Sequence, residues 1–346
     1  MALYRVRQMN TQADTDSDVG RLDSGRNLAL ELVRVTEAAA LGAARLVGKG
    51  DKEAADQAAV DGMRWALRSV EMDGVVVIGE GEKDEAPMLY NGEQIGNGSA
   101  PAVDIAVDPL EGTTLAARGV PNALAVIALS PRGTMLDPGP CFFMHKIVGS
   151  SEIADLLDLD RPLGETLRLI AGRKRIDVGD LTVVILDRAR HDESVAEVRS
   201  VGARVRFISD GDVAGALLAV TDEVPVDLLW GFGGTPEGVL SAAAIKCLGG
   251  RMLGRFWFRN DAERQAALDA GYDIEKVLTD DDLISGTDCY FSATGVTEGD
   301  VLQGVRFLNS GSATTESLVM GSRSGTVRRI HATHDRAKLV DLHDEG

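Results

Sequence analysis

The chain has 346 residues, is 44% hydrophobic and carries a net charge of −18. That composition supports a globular core of ordinary size, and the acidity argues against nucleic acid as a partner. A phosphorylated ligand would be repelled unless bound divalent cations reversed the sign locally; the plainer reading is that the acids keep the chain soluble.

Residues 1–25 read as a flexible acidic tail, because Thr11–Asp18 is polar and has no period. A helix follows from about Asn27 to Val47, with Leu28, Leu32, Val35, Ala39 and Leu46 at helical spacing, and Gly48–Asp51 ends it. A second helix places Val60, Met63, Leu67 and Val70 on one face. Val75–Ile78 is a short buried strand running into Gly79-Glu-Gly-Glu82, and Val103–Asp108 and Ala123–Leu129 are further strands. Leu181–Leu186 and Val205–Ile208 continue the pattern, and Asp210-Gly-Asp212 caps a helix through about Val220. Val226–Trp230 is a strand, and Gly231–Gly238 leads into a helix bearing Leu240, Ala244 and Leu248. Asp261–Ala270 is a surface helix, and short strands follow around Tyr290, Val305, Ser317 and Thr326. The alternation assigns a layered α/β class with mixed sheets. Residues 26–335 form one domain of two subdomains, about 26–170 and 171–335, sharing a cleft; residues 336–346 are a C-terminal tail.

The three cysteines are an odd number with no C-x-x-C spacing, which suits free thiols in a reducing compartment. No apolar run reaches the roughly 18 residues of a membrane span, and the N-terminus has no signal-peptide h-region. The expected location is the cytoplasm.

The chemistry concentrates in Asp108-Pro-Leu-Glu-Gly-Thr-Thr114. Its two carboxylates follow a strand, and Pro109 and Gly112 favour a turn there. Oxygen ligands suit Mg²⁺ or Mn²⁺. Backbone N–H groups after Gly112, with Thr113, are placed to hold a phosphate beside the cation. Other carboxylates sit at element ends with two readings each. Gly79–Glu82 is a ligand loop or a polar turn. Asp51 and Asp56 are ligands or helix caps. Glu237 lies in a ligand-binding first turn or merely suits the helix dipole. Arg188-Ala-Arg190-His191 grips a phosphate or is an exposed basic turn. Asp210 and Asp212 meet sugar hydroxyls or cap the next helix. Gly231-x-Gly-Gly is too loose for a dinucleotide fingerprint, and no H-x-x-x-H or Gly-x-Ser-x-Gly occurs.

Taken in order, Gly50-Asp-Lys52, Ala55–Val60, Val77–Glu82, Ala86–Tyr90, Asp104–Thr113, Asn122–Val126, Arg190-His191, Ser209–Val213, Gly233–Gly238 and Phe291–Val296 resemble the class II (GlpX-type) fructose-1,6-bisphosphatases. The likeness runs from about Asn27 to His331 and extends to the wider inositol monophosphatase/fructose-bisphosphatase superfamily. The resemblance implies an α/β/α/β/α sandwich and a gluconeogenic, divalent-metal phosphatase of fructose 1,6-bisphosphate. It implies a homodimer or homotetramer. Two or more Mg²⁺ or Mn²⁺ ions would be held by Asp56 and Glu80 on one side and by Asp108, Glu111, Glu237 and the Leu110 carbonyl on the other. Lys52 would neutralise phosphate charge. Glu111, Gly112 and Thr113 would contact the 1-phosphate, with Thr113 orienting the attacking water and Glu82 or a ligand carboxylate serving as base. Arg188 and Arg190 would grip the 6-phosphate, and Asp210, Gly211, Asp212 and Gly234 the sugar. One departure is Phe143, where the family often has a substrate-contacting tyrosine. The resemblance leaves open a dual activity on sedoheptulose 1,7-bisphosphate and a non-catalytic sugar-phosphate sensor; the paired arginines disfavour an inositol monophosphatase.

Overall fold

A computed structural model describes residues 28–80, 89–221 and 224–338. The acidic tail, Gly81, Glu82, Ala86–Met88 and residues 339–346 therefore lie outside the described residues. In chain order the elements are α1 (Leu28–Ala44), α2 (Lys52–Leu67), β1 (Asp73–Ile78), β2 (Gln94–Ile95), β3 (Ala102–Glu111), α3 (Thr113–Arg118), β4 (Leu124–Pro131), β5 (Phe143–Gly149), α4 (Leu163–Lys174), β6 (Thr182–Leu186), α5 (Asp192–Ser200) and β7 (Arg204–Ile208). They continue with α6 (Asp212–Leu218), β8 (Leu228–Gly234), α7 (Thr235–Leu248), β9 (Arg251–Trp257), α8 (Asp261–Asp269), β10 (Leu278–Thr279), α9 (Asp280–Leu283), β11 (Tyr290–Gly295), β12 (Arg306–Phe307), β13 (Ser312–Gly321) and β14 (Thr326–Asp335).

Two mixed sheets result. The first runs β12-β13-β11-β4-β3-β1-β2, with β14 added to β13; the second runs β10-β9-β5-β8-β6-β7. The first draws on both ends of the described chain, the second on residues 143–279.

Side-chain alternation on β4 explains the layering. Ala125, Ile127 and Leu129 join α1 and α2 residues such as Leu32, Val35 and Met63 in one core. Val126 and Ala128 face the other way and join Leu217 of α6, Leu240 and Ala243 of α7, and Met144 and Val148 of β5. The far face of the second sheet, with Ile147 and Val183, packs on Leu167 of α4 and Val198 of α5. The layers are thus helix, sheet, helix, sheet, helix. Helix α7 fills the middle because Val239–Ile245 is buried all round, as a helix between two sheets must be.

Three local expectations change. The turn after β3 comes at Gly112 (φ 84°), not at Pro109, because the strand runs on to Glu111. Strand β8 begins two residues later than expected and runs through Gly234, so the first half of the glycine-rich segment is strand and the second half opens α7. Helix α6 has Gly211 at its N-cap with no side-chain hydrogen bond, so neither Asp210 nor Asp212 caps it. Asp51 does cap α2, accepting the Ala54 N–H at 3.0 Å.

Candidate active site

Residues three apart on a regular strand point to opposite faces. On β3 the register slips: Asp108 lies opposite Val126 and Glu111 opposite Leu124, so three steps on one strand match two on its neighbour. This bulge corrects the phase. Asp108 and Glu111 consequently meet, side chain to side chain, and the Glu111 carboxylate favours the protonated form of Asp108. The Leu110 N–H donates to Asp108 Oδ1 at 3.1 Å, and Leu110 itself is buried.

Other elements bring more acids to the same place. Asp56 projects from α2, Glu80 follows β1, Asp212 opens α6 and Glu237 lies in the first turn of α7. Burial, then the charges of Asp56 and Glu237, pushes Glu80 up to about 7. Burial pushes Glu111 up to about 8 against the hydrogen bonds it accepts from Asp108 and Val213, with Glu237 and Asp212 adding to the rise. Burial, then Glu111 and Glu80, holds Asp108 well above the carboxylate range. Glu237 is raised by burial and then by Asp212, while Lys146 pulls the other way. Burial alone raises Asp56. Crowded acids of this kind resist ionising together.

Glycines clear the room. A Cβ on Gly234 would lie 1.9 Å from Glu237 Oε2, and one on Gly233 would lie 2.1 Å from Asp212 Oδ2. Glu237 Oε2 and Asp212 Oδ1 are buried without a hydrogen-bond partner. Lys146, only 1% exposed, sets its Nζ 2.6 Å from Asp212 Oδ2. Among the described residues no three acids, histidines or cysteines already converge as a finished ligand cage; Asp108 and Glu111 are engaged with each other instead. The donor set is nonetheless all oxygen, acidic and partly unpaired, which fits a hard divalent cation.

The other expected residues that are described connect to this cluster or to one another, and Glu82 lies outside the described residues. Lys52 Nζ donates to Thr114 Oγ1 at 2.8 Å, which gives Thr114 a place the sequence left unassigned. The Thr114 N–H donates to Asp210 Oδ2 at 3.3 Å. Thr113 begins α3 directly after Gly112. Gly211 packs by Glu111, 3.5 Å from Oε1 by the same Cβ measure. Arg188 lies 3.9 Å from Asp210. Arg190 donates from Nε and Nη2 to the Phe232 carbonyl, at 3.1 and 2.7 Å, and burial, then Arg188, lowers its pKa. Phe143 pairs in register with Gly234; its ring meets Trp257 edge-on and carries the Arg259 guanidinium 4.8 Å above it. A cavity of about 550 Å³, in the range of small-ligand sites, opens beside Asp210 and Gly211, with Leu115, Asn122, Arg206 and Ser209 also on its wall.

Two residues received no role of their own in the sequence reading. One is Lys146. The other is His191, buried, whose Nδ1 donates to the Leu186 carbonyl at 2.7 Å and whose Nε2 accepts the Phe232 N–H at 2.8 Å. Those roles fix one neutral tautomer, and burial lowers its pKa. The ring pins the Arg190 loop to β8. Only the alternation Met144-x-Lys146-x-Val148 pointed to a lysine on a core face.

The bacterial, glpX-encoded fructose-1,6-bisphosphatase family matches residues 26–334. The chain belongs to that family. It is 43% identical over 335 residues to fructose-1,6-bisphosphatase class 2 of Haemophilus influenzae, covering 92% of this chain and 99% of that one. It is 45% identical over 322 residues to fructose-1,6-bisphosphatase 1 class 2 of Escherichia coli strain K12, covering 89% and 95%. Membership makes the chain an enzyme of the phosphatase class. Among the described residues no helix is long and apolar enough to cross a membrane.

Proposed function

We propose that this enzyme hydrolyses the 1-phosphate of D-fructose 1,6-bisphosphate, releasing fructose 6-phosphate and phosphate, with two or more Mg²⁺ or Mn²⁺ ions at the carboxylate cluster. The observation that carries the metal site is the gathering of Asp56, Glu80, Asp108, Glu111 and Glu237 from four separate elements, with a buried Glu237 oxygen left unpaired. Acids crowded this way are stable together only when protonated or when cations lie between them.

Bound there, the cations supply charge neutralisation at the phosphate and a nucleophile for in-line attack. Asp56 and Glu80 hold one side; Asp108, Glu111, Glu237 and the Leu110 carbonyl hold the other. Gly112, with its left-handed backbone, turns the chain so that Thr113 and the following N–H groups face the 1-phosphate. Thr113 orients the water, and Glu82 or a cluster carboxylate takes its proton. Lys52, already reaching over α3 to Thr114, adds positive charge at the phosphate. Arg188 and Arg190 hold the 6-phosphate; the Phe232 carbonyl accepts from Nε and Nη2 of Arg190 and so fixes that guanidinium. Asp210, Gly211, Asp212 and Gly234 line the sugar, with Phe143 against its edge.

The enzyme acts in the cytoplasm on this reading, its three cysteines being buried and free. It works as a homodimer or homotetramer; β14, which pairs only with β13 among the described strands, offers a second copy a strand edge. The sugar is tested by phosphate release from fructose 1,6-bisphosphate and sedoheptulose 1,7-bisphosphate, each with Mg²⁺ and with Mn²⁺. A higher kcat/KM on the six-carbon sugar is expected; a preference for the seven-carbon sugar would overturn the assignment.

A further inference from the structure

We propose that Lys146 is a positioning residue of this site: its buried ammonium holds one oxygen of Asp212 and the carbonyl at the mouth of α7, leaving the other Asp212 oxygen and a Glu237 oxygen for ligands. The inference rests on the reading above.

Lys146 shares a face of β5 with Met144 and Val148, both in the core around α7. It is among the largest fully buried side chains described. Its Nζ contacts Asp212 Oδ2 at 2.6 Å and donates to the Gly234 carbonyl at 2.8 Å. Gly234 is the N-cap of α7, and Glu237 follows three residues on. One ammonium thus joins the strand end, the helix that carries Glu237 and the residue that opens α6. The oxygens it does not hold, Asp212 Oδ1 and Glu237 Oε2, are the buried, unpartnered ones. A buried ion pair seldom stabilises a fold more than apolar packing would, so its consequence here is placement. Gly233 makes the pair possible, since a Cβ there would stand 2.1 Å from Asp212 Oδ2 and 3.2 Å from Lys146 Cε. The ammonium also has an electrostatic effect. It is a fixed positive charge beside the cation site, and it weakens cation affinity while it orders the sugar contact.

The test compares wild type, Lys146→Met, Asp212→Asn and the double variant. KM for fructose 1,6-bisphosphate and kcat are read at saturating Mn²⁺, and Mn²⁺ binding is read by calorimetry without substrate. Lys146→Met should raise KM about tenfold, the loss of one charge-assisted contact, yet bind Mn²⁺ more tightly than wild type. A role in packing alone would not tighten Mn²⁺. The double variant should raise KM no further than Asp212→Asn alone, because Lys146 acts through Asp212. Unchanged KM and unchanged Mn²⁺ affinity in folded Lys146→Met, or additive effects in the double variant, would overturn the inference. If Lys146→Met does not fold, Lys146→Gln decides by the same two readouts: a raised KM with tighter Mn²⁺ binding supports the inference, and both unchanged overturn it. If wild type releases no phosphate, the enzymatic reading fails separately, and the Mn²⁺ affinities still decide the role of Lys146.

Discussion

Glu111 Oε1 accepts the backbone N–H of Val213 at 3.0 Å. One residue ends β3 in the first sheet and the other lies in the first turn of α6, between the sheets. A single carboxylate therefore serves the proposed cation site and locks to it the segment Asp210–Asp212, which is proposed to meet the sugar. Glu111→Ala should strand the Val213 N–H and cost about 1–3 kcal/mol of stability. Glu111→Gln keeps an acceptor oxygen, so its melting temperature should stay nearer wild type. Both should lose turnover by orders of magnitude. Thermal melts beside phosphate-release rates separate the two roles; equal melting temperatures for Ala and Gln would refute the structural one.

Asp108 shows the opposing demands of binding and folding. Burial, Glu111 and Glu80 all disfavour its charged form, so Asp108→Asn should leave the metal-free protein as stable as wild type or more so. Its kcat should fall by orders of magnitude at saturating Mg²⁺. Near-wild-type turnover would remove Asp108 from the mechanism.

The cluster also fixes a pH dependence. Glu80 and Glu111 rise from an ordinary 4.5 to about 7 and about 8 in the fold. Between those limits the native state binds more protons than the unfolded chain, so stability falls as pH rises. In EDTA the melting temperature should decline from pH 5 to pH 8.5. Divalent cations displace those protons and should flatten the decline. A metal-free protein whose stability climbs over that range would contradict the crowding of these acids.

Phe143 offers a gain of function. Its ring sits at the register position opposite Gly234, which this account places against the sugar. Phe143→Tyr adds a hydroxyl, and one new hydrogen bond is worth about 0.5–1.5 kcal/mol. KM should drop roughly two- to tenfold with kcat nearly unchanged. Steady-state kinetics on fructose 1,6-bisphosphate checks this, and an unchanged or raised KM would move the sugar away from Phe143.

Much of the first sheet was legible because β3 and β4 are apolar runs between turn residues, buried on both faces. Strands β5 and β9 were not. They interleave His145, Lys146, Arg251, Gly254 and Arg255 with apolar residues, and their polar members are paired by tertiary contacts, such as Arg255 with Asp160 at 2.7 Å, that no local pattern announces. The same holds at the site. Asp108 and Glu111 stood out because they share one short segment, and the structure brings Asp56, Glu80 and Glu237 to them. The bulge that makes Asp108 and Glu111 face the same way was hidden, since Asp-Pro-Leu-Glu reads as a turn. The roles of Lys146 and His191 were hidden for another reason: each depends on a tertiary partner, Asp212 and the Phe232 N–H, that lies far along the chain.

The most direct test of the central claim is product analysis of wild-type enzyme on fructose 1,6-bisphosphate, with Mg²⁺ or Mn²⁺ and with EDTA. The account predicts equal amounts of phosphate and fructose 6-phosphate with either cation and neither product in EDTA. Release that persists undiminished in EDTA, or fructose 1-phosphate as the product, would contradict it.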